Sequence, residues 1–186
     1  MHNPLANKIL FLKVKNQDPE AYGQFYDVYV ARIYRFIFFK VNSAPDAQDL
    51  TSEVFLKLWQ CIKEGKEIRN LNAFIYMVAR NSVIDFYRQK AKDRESISID
   101  SGDAGDIKDD KKDLLQEGII NSDMESVLKG LEHLKDEYKE VIILKFLDDL
   151  SIREIAQILN RSNGSIRVLL HRATKALKDN LNERIS

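Results

Sequence analysis

Between Ser151 and Lys178 the chain reads SIREIAQILNRSNGSIRVLLHRATKALK, and no other stretch limits the possible folds as tightly. Ser151 and Glu154 form the S-x-x-E pattern of a capping box, in which each residue satisfies a backbone N–H that a helix start leaves open. Ile152, Ile155, Ala156 and Leu159 then recur at helical spacing as an apolar stripe. Asn160 and Arg161 carry a turn, and Ser162 caps a second helix. That helix turns Ile166, Leu169, Leu170, Ala173 and Leu177 inward and leaves Ser165, Arg167, Val168, His171, Arg172 and Lys175 outward. Two short helices around a tight turn make a helix-turn-helix. From Arg161 to Lys178 there are five Lys or Arg and no acid, which suits a helix lying along the phosphates of a DNA major groove. An ordinary helical hairpin with a solvated basic face is the bland alternative; capping, turn spacing and one-signed charge together favour DNA.

The rest of the chain is consistent with an all-α protein. It has only 7 Gly and 3 Pro in 186 residues, and its 44% apolar content is enough for one domain or two small ones. No apolar run approaches the roughly 20 residues of a membrane span. The opening MHNPLANKILFLKVKNQ has an apolar segment too short and too interrupted by lysine for a signal peptide, so no membrane insertion and a cytoplasmic location are expected. Cys61 is the only cysteine, beside Trp59 and Ile62, where packing is the simpler role. His2, His133 and His171 are scattered, so no metal or other cofactor is expected.

A formal net charge of zero conceals a segregation. Between Asp93 and Glu125 eleven acids face four bases, which leaves the flanking parts basic when taken together. The same stretch holds Gly102, Gly105 and Gly118 and few large apolar residues, too few to offset the entropy of ordering. Residues 93–121 therefore read as a flexible acidic linker between two helical domains, 1–92 and 122–186.

In the first domain Asp18 and Pro19 start a helix that reaches about Val41, with Tyr22, Phe25, Tyr26, Tyr29, Ile33, Phe36 and Ile37 on its apolar face. Ser43, Pro45 and Asp46 announce a second, which carries Leu50, Val54, Phe55, Leu58 and Ile62 inward and leaves Asp49, Ser52, Glu53 and Lys57 elsewhere. Cys61 to Asn72 reads as a loop interrupted by Gly65. A third helix runs from about Leu71 to Lys92. On it Asn81, Asp85, Arg88 and Lys92 form a polar, mostly basic stripe opposite Ile75, Val78 and Phe86. Phe74, Tyr76, Arg80, Phe86, Tyr87 and Arg88 interleave rings with cations, as a single-stranded nucleic-acid surface requires, although aromatic residues on a helix are more often core. After the linker, Ser122 and Glu125 form another capping box ahead of Met124, Val127, Leu128, Leu131 and Leu134. A further helix, Asp136 to about Leu147, buries Tyr138, Val141, Ile142 and Leu144 or Leu147, completing a four-helix domain with the helix-turn-helix.

With these pieces placed, the chain resembles the bacterial RNA polymerase sigma factors of the extracytoplasmic-function (ECF) group. Three segments carry the likeness: DAQDLTSEVFLKLW at 46–59, LNAFIYMVARNSVIDFYRQK at 71–90, and LSIREIAQILNRSNGSIRVLLHRATKAL at 150–177. The resemblance implies a non-enzymatic specificity subunit that recruits core RNA polymerase to promoters and helps open them. It implies that Asp49, Ser52 and Glu53 meet the clamp of the polymerase β′ subunit. By the same resemblance Lys66, Arg69 and Asn70 in the loop, with Arg80, Asn81, Arg88 and Lys92 on the third helix, hold the melted strand of the minus-ten element. The second domain would then read the duplex minus-thirty-five element through Ser165, Arg167, Val168, His171 and Arg172, with Arg153, Arg161 and Lys175 near phosphates, and lean on the polymerase β flap. An anti-sigma factor is a further partner that the resemblance implies.

The chief rival is a stand-alone transcriptional regulator whose first domain senses a signal or dimerises; an RNA-binding helical protein is another. An enzyme fits least, because the sequence offers no grouping of nucleophile, base and orienter, no phosphate-binding glycine loop and no metal-ligand spacing.

Overall fold

The computed structural model describes residues 4–97, 131 and 133–183, and every regular element among them is helical. In chain order these are α1 (Pro4–Lys15), α2 (Pro19–Val41), α3 (Ala44–Lys63), α4 (Leu71–Ile97), α5 (Asp136–Ile142), which runs on into a single π-helical turn (Ile143–Leu147), α6 (Ile152–Leu159) and α7 (Asn163–Glu183). The chain divides into two compact units, Met1–Asp110 and Lys111–Ser186. The capping box of Ser122 and Glu125, the apolar positions Met124, Val127 and Leu128, and most of the expected linker lie outside the described residues.

In the first unit α2, α3 and α4 pack against one another, and α1 lies on α2. Asp18 caps α2 by accepting from the backbone N–H groups of Glu20 and Ala21 at 3.0 and 3.2 Å, while Pro19 occupies a first-turn position that needs no donor. Asn42 ends the helix in the left-handed region at φ 53°, and its N–H returns to the Phe38 carbonyl. Ala21, Phe25, Tyr29, Ile33, Phe36 and Ile37 form the buried face, each large side chain contributing about 1.5–3 kcal/mol by leaving water. Tyr26 departs from the expected pattern: 41% of it stays exposed, its ring 4.6 Å from Phe55. Tyr22 is half-buried, donates to the Phe55 carbonyl at 2.5 Å, and is pushed well above the ordinary phenol range by burial.

Helix α1 was not legible in the sequence. It exists because Phe11 and Val14 find partners on α2: Val14 is fully buried, and the Phe11 ring lies 5.9 Å from Phe25 and 6.2 Å from Tyr29.

Ser43 caps α3, and Leu50, Val54, Phe55, Leu58 and Ile62 are all buried as expected. The connection to α4 is shorter than the expected loop. Cys61, Ile62 and Lys63 remain helical because Ile62 is still core, and Leu71 and Asn72 already belong to α4. Gly65 makes the stop, at φ 70°, with its N–H bonded to the Ile62 carbonyl and that of Lys66 to Cys61. At the other end α4 continues through Ile97, so residues 93–97, expected in the linker, are helical. Good helix formers and a Gln89–Asp93 hydrogen bond of 3.1 Å one turn apart sustain it.

The second unit closes around Leu131, Leu134, Val141, Ile142, Ile143, Leu144, Leu150, Ile155, Ile158, Ile166, Leu169 and Ala173. Ile158, which the expected stripe left out, is buried, and Leu159 is only half-buried. The π-helical turn ends with the Asp148 N–H on the Ile143 carbonyl and the Leu150 N–H on Leu144, so the chain is fixed just before α6 begins.

Candidate nucleic-acid interface

In the second unit the sequence builds a basic helix face and holds it rigidly. The Ser151 hydroxyl accepts from the Glu154 N–H at 3.3 Å and the Glu154 carboxylate accepts from the Ser151 N–H at 2.9 Å, closing the expected capping box on α6. Asn160 then adopts φ 52°, ψ 50°, and the Arg161 N–H reaches back to the Ala156 carbonyl, so the turn is made by a left-handed residue that asparagine tolerates well. Ser162 caps α7 through the Ser165 N–H at 3.1 Å. Ile166, Leu169 and Ala173 anchor α7 in the core. This leaves Ser165, Arg167, Val168, His171, Arg172 and Lys175 all exposed, together with Arg153 on α6. Val168 is 52% exposed, an apolar patch among cations. Arg161 differs from the rest because its guanidinium is held 3.1 Å from Glu137 on α5.

The first unit brings together two further surfaces. On α3, Asp49, Ser52 and Glu53 are exposed along one line that continues through Leu56 and Gln60. Leu56 is 64% exposed and was missed in the sequence; its position out of phase with Leu50, Val54 and Leu58 was the available signal. Beside this line a cavity of about 300 Å³ opens. Lys57, Gln60 and Cys61 line it from α3, Glu64 and Lys66 from the connection, and Val78, Asn81 and Ser82 from α4. Lys66 donates to Glu64 at 3.1 Å and to the Cys61 sulfur at 3.5 Å. These bonds, the one to Glu64 first, raise its pKa above the usual lysine value.

Of the minus-ten candidates, Lys66 and Asn81 therefore meet at one cavity. Arg88 and Lys92 lie farther along the same exposed stripe of α4, with Arg88 3.4 Å from Asp85, and Arg80 is half-buried one position round the helix. Arg69 is exposed and paired with Glu67 at 3.2 Å. Asn70 has a structural task, since its side-chain carbonyl accepts the Ala73 N–H at 3.1 Å and starts α4. Among the aromatic candidates, Tyr76 is fully buried with its ring edge-on to Phe36, so it is core. Tyr87 is 47% exposed, and its hydroxyl donates to the Lys40 carbonyl. Phe86 lies 4.4 Å under the Lys90 ammonium, which also reaches Asp46 at 3.1 Å.

Comparison with known proteins decides the family. Residues 25–93 match the model of sigma-70 region 2 and residues 124–177 that of sigma-70 region 4, so the two together span well over half of the chain. The chain belongs to the ECF group of RNA polymerase sigma factors. Among its relatives is the ECF RNA polymerase sigma factor BldN of Streptomyces coelicolor, 29% identical over 161 residues, a match that spans 86% of this chain and 60% of BldN. SigW of Bacillus subtilis, also an ECF sigma factor, is 27% identical over 178 residues, 92% of this chain and 94% of SigW. Solved structures share the fold. The sigma factor RpoE of Bartonella quintana, in complex with the anti-sigma factor NepR, gives a TM-score of 0.65 at 19% identity, over 86% of this chain and 96% of that one. CnrH, in complex with the cytosolic domain of CnrY, gives 0.68 at 18% identity, over 96% and 98%. Membership of this family favours the sigma-factor reading over the stand-alone regulator. No helix among the described residues of this sigma factor is long and apolar enough to cross a membrane.

Proposed function

We propose that this sigma factor joins core RNA polymerase, reads a promoter at two places and helps to open it, acting as a specificity subunit without catalysing a reaction itself. Asp49, Ser52 and Glu53 meet the β′ clamp, with Leu56 as an apolar contact one turn further along the same line. The cavity beside them takes one unstacked base of the minus-ten element, and Lys66, Arg69, Asn70, Arg80, Asn81, Arg88 and Lys92 carry the strand past it. Opening costs about 1.4 kcal/mol per stacked step, and capture of an unstacked base is worth about 1–3 kcal/mol, so one or two captured bases offset much of that cost. On the second unit the outward face of α7 reads the duplex minus-thirty-five element through Ser165, Arg167, Val168, His171 and Arg172, with Arg153, Arg161 and Lys175 at phosphates, while the unit leans on the β flap. The protein works in the cytoplasm with the polymerase. An anti-sigma factor is a further partner, as RpoE of B. quintana was solved with one.

The observation that carries this reading is the neighbourhood on the first unit of an exposed acidic face on α3 and a lysine-lined cavity between α3 and α4. The test is to mix the purified chain with core polymerase and to assay transcription from candidate promoters. A stable complex with promoter-dependent initiation is expected. A chain that binds duplex DNA but never core polymerase would return the regulator to first place.

A further inference from the structure

We propose that Lys57 couples the docking face of α3 to the cavity beside it, so that engagement of Glu53 by a cationic partner frees the Lys57 ammonium for the base in the cavity. The inference rests on the reading just given, in which Glu53 faces the polymerase and the cavity takes an unpaired base. Lys57 touches both places, and it is bonded on each side. Its ammonium lies 2.5 Å from the Glu53 carboxylate and donates to the Ser82 hydroxyl at 3.2 Å on α4. The same side chain lines the cavity with Asn81 and Ser82.

The geometry suits exchange. Glu53 precedes Lys57 by one turn, the favourable order for a helical ion pair, and the two side chains remain 47% and 42% exposed. A pair so open to water is weakly held, and a second cation can compete for its carboxylate. Two cations around one carboxylate repel each other. Lysine has a flexible four-carbon stem, and the polar ground on its other side is Ser82 and the cavity. There the ammonium, a donor with no acceptor capacity, fits the ring nitrogens and carbonyls of a base. A lysine that served only to tie α3 to α4 would affect both states of the protein alike.

The test measures binding of a fluorescent single-stranded oligonucleotide carrying the non-template minus-ten sequence, with the chain free and bound to core polymerase. Glu53→Gln in the free chain releases Lys57 without any polymerase and is expected to raise affinity about two- to fivefold, the size that an exposed ion pair is worth. The rise should vanish in the double variant Glu53→Gln/Lys57→Met and should exceed that of Asp49→Asn, which removes the same charge from the same face. Lys57→Met alone is expected to weaken strand binding more in the polymerase-bound form, by a similar factor, than in the free chain, where Glu53 already holds the ammonium. That loss should disappear when one nucleotide of the strand is made abasic. Equal losses in both states, or a rise for Glu53→Gln that Lys57→Met leaves intact, would overturn the coupling. A wild-type chain that neither joins core polymerase nor holds the strand would instead bring down the reading beneath it, and the coupling with it.

Discussion

The Arg161 guanidinium, in the turn of the helix-turn-helix, lies 3.1 Å from the Glu137 carboxylate at the start of α5. The cation proposed to meet phosphate is thus partly neutralised by the protein itself. Both side chains are well exposed, so the pair adds only about 0.2–1 kcal/mol to stability. Glu137→Gln is expected to tighten duplex binding by a few-fold at every sequence and to leave thermal unfolding nearly unchanged. Arg161→Ala should weaken binding uniformly and lower the slope of log affinity against log salt by about one, the signature of one lost phosphate contact. Titrations at several salt concentrations measure both effects. A sequence-dependent loss for Arg161→Ala would move it to the base-reading set.

Arg172 stands on the outward face of α7 and makes no ion pair with another described residue. A bidentate contact with guanine is worth about 1–3 kcal/mol, so Arg172→Ala should lose that much at promoters carrying the cognate base and little elsewhere. Comparing base substitutions across the minus-thirty-five element checks it. Equal loss at every sequence would make Arg172 a phosphate contact.

Arg88 is exposed on α4 of the first unit and is tied only loosely to Asp85 at 3.4 Å. Arg88→Ala is expected to slow promoter opening while leaving recognition of the closed duplex intact. Permanganate reactivity of unpaired thymines reports the first property and competition with duplex DNA the second.

Ser151 closes the capping box that positions α6, and replacing such a cap by alanine costs about 1 kcal/mol. Ser151→Ala should lower the unfolding midpoint of the second unit by a few degrees. Because α6 carries the turn that sets α7, duplex binding should fall as well, whereas binding to core polymerase through α3 should not.

The sequence by itself determined which segments became helices wherever a local signal was complete. Asp18 with Pro19, Ser43, and Ser151 with Glu154 each cap a helix as expected, because a cap depends on residues within one turn of each other. Periodicity likewise placed the inner faces of α3 and α7 and therefore the exposed residues opposite them, since a helix with one side in the core must show its other side to water. Tertiary structure decided what local signals could not. Helix α1 depends on Phe11 meeting Phe25 and Tyr29. Tyr76 and Tyr87 look alike in sequence, yet one is wholly buried against Phe36 and the other lies half-open beside Lys40. The cavity could not be read from the sequence because Lys57 and Ser82 are separated by 25 positions. It exists only because the buried faces of α3 and α4, once packed together, set those two side chains side by side.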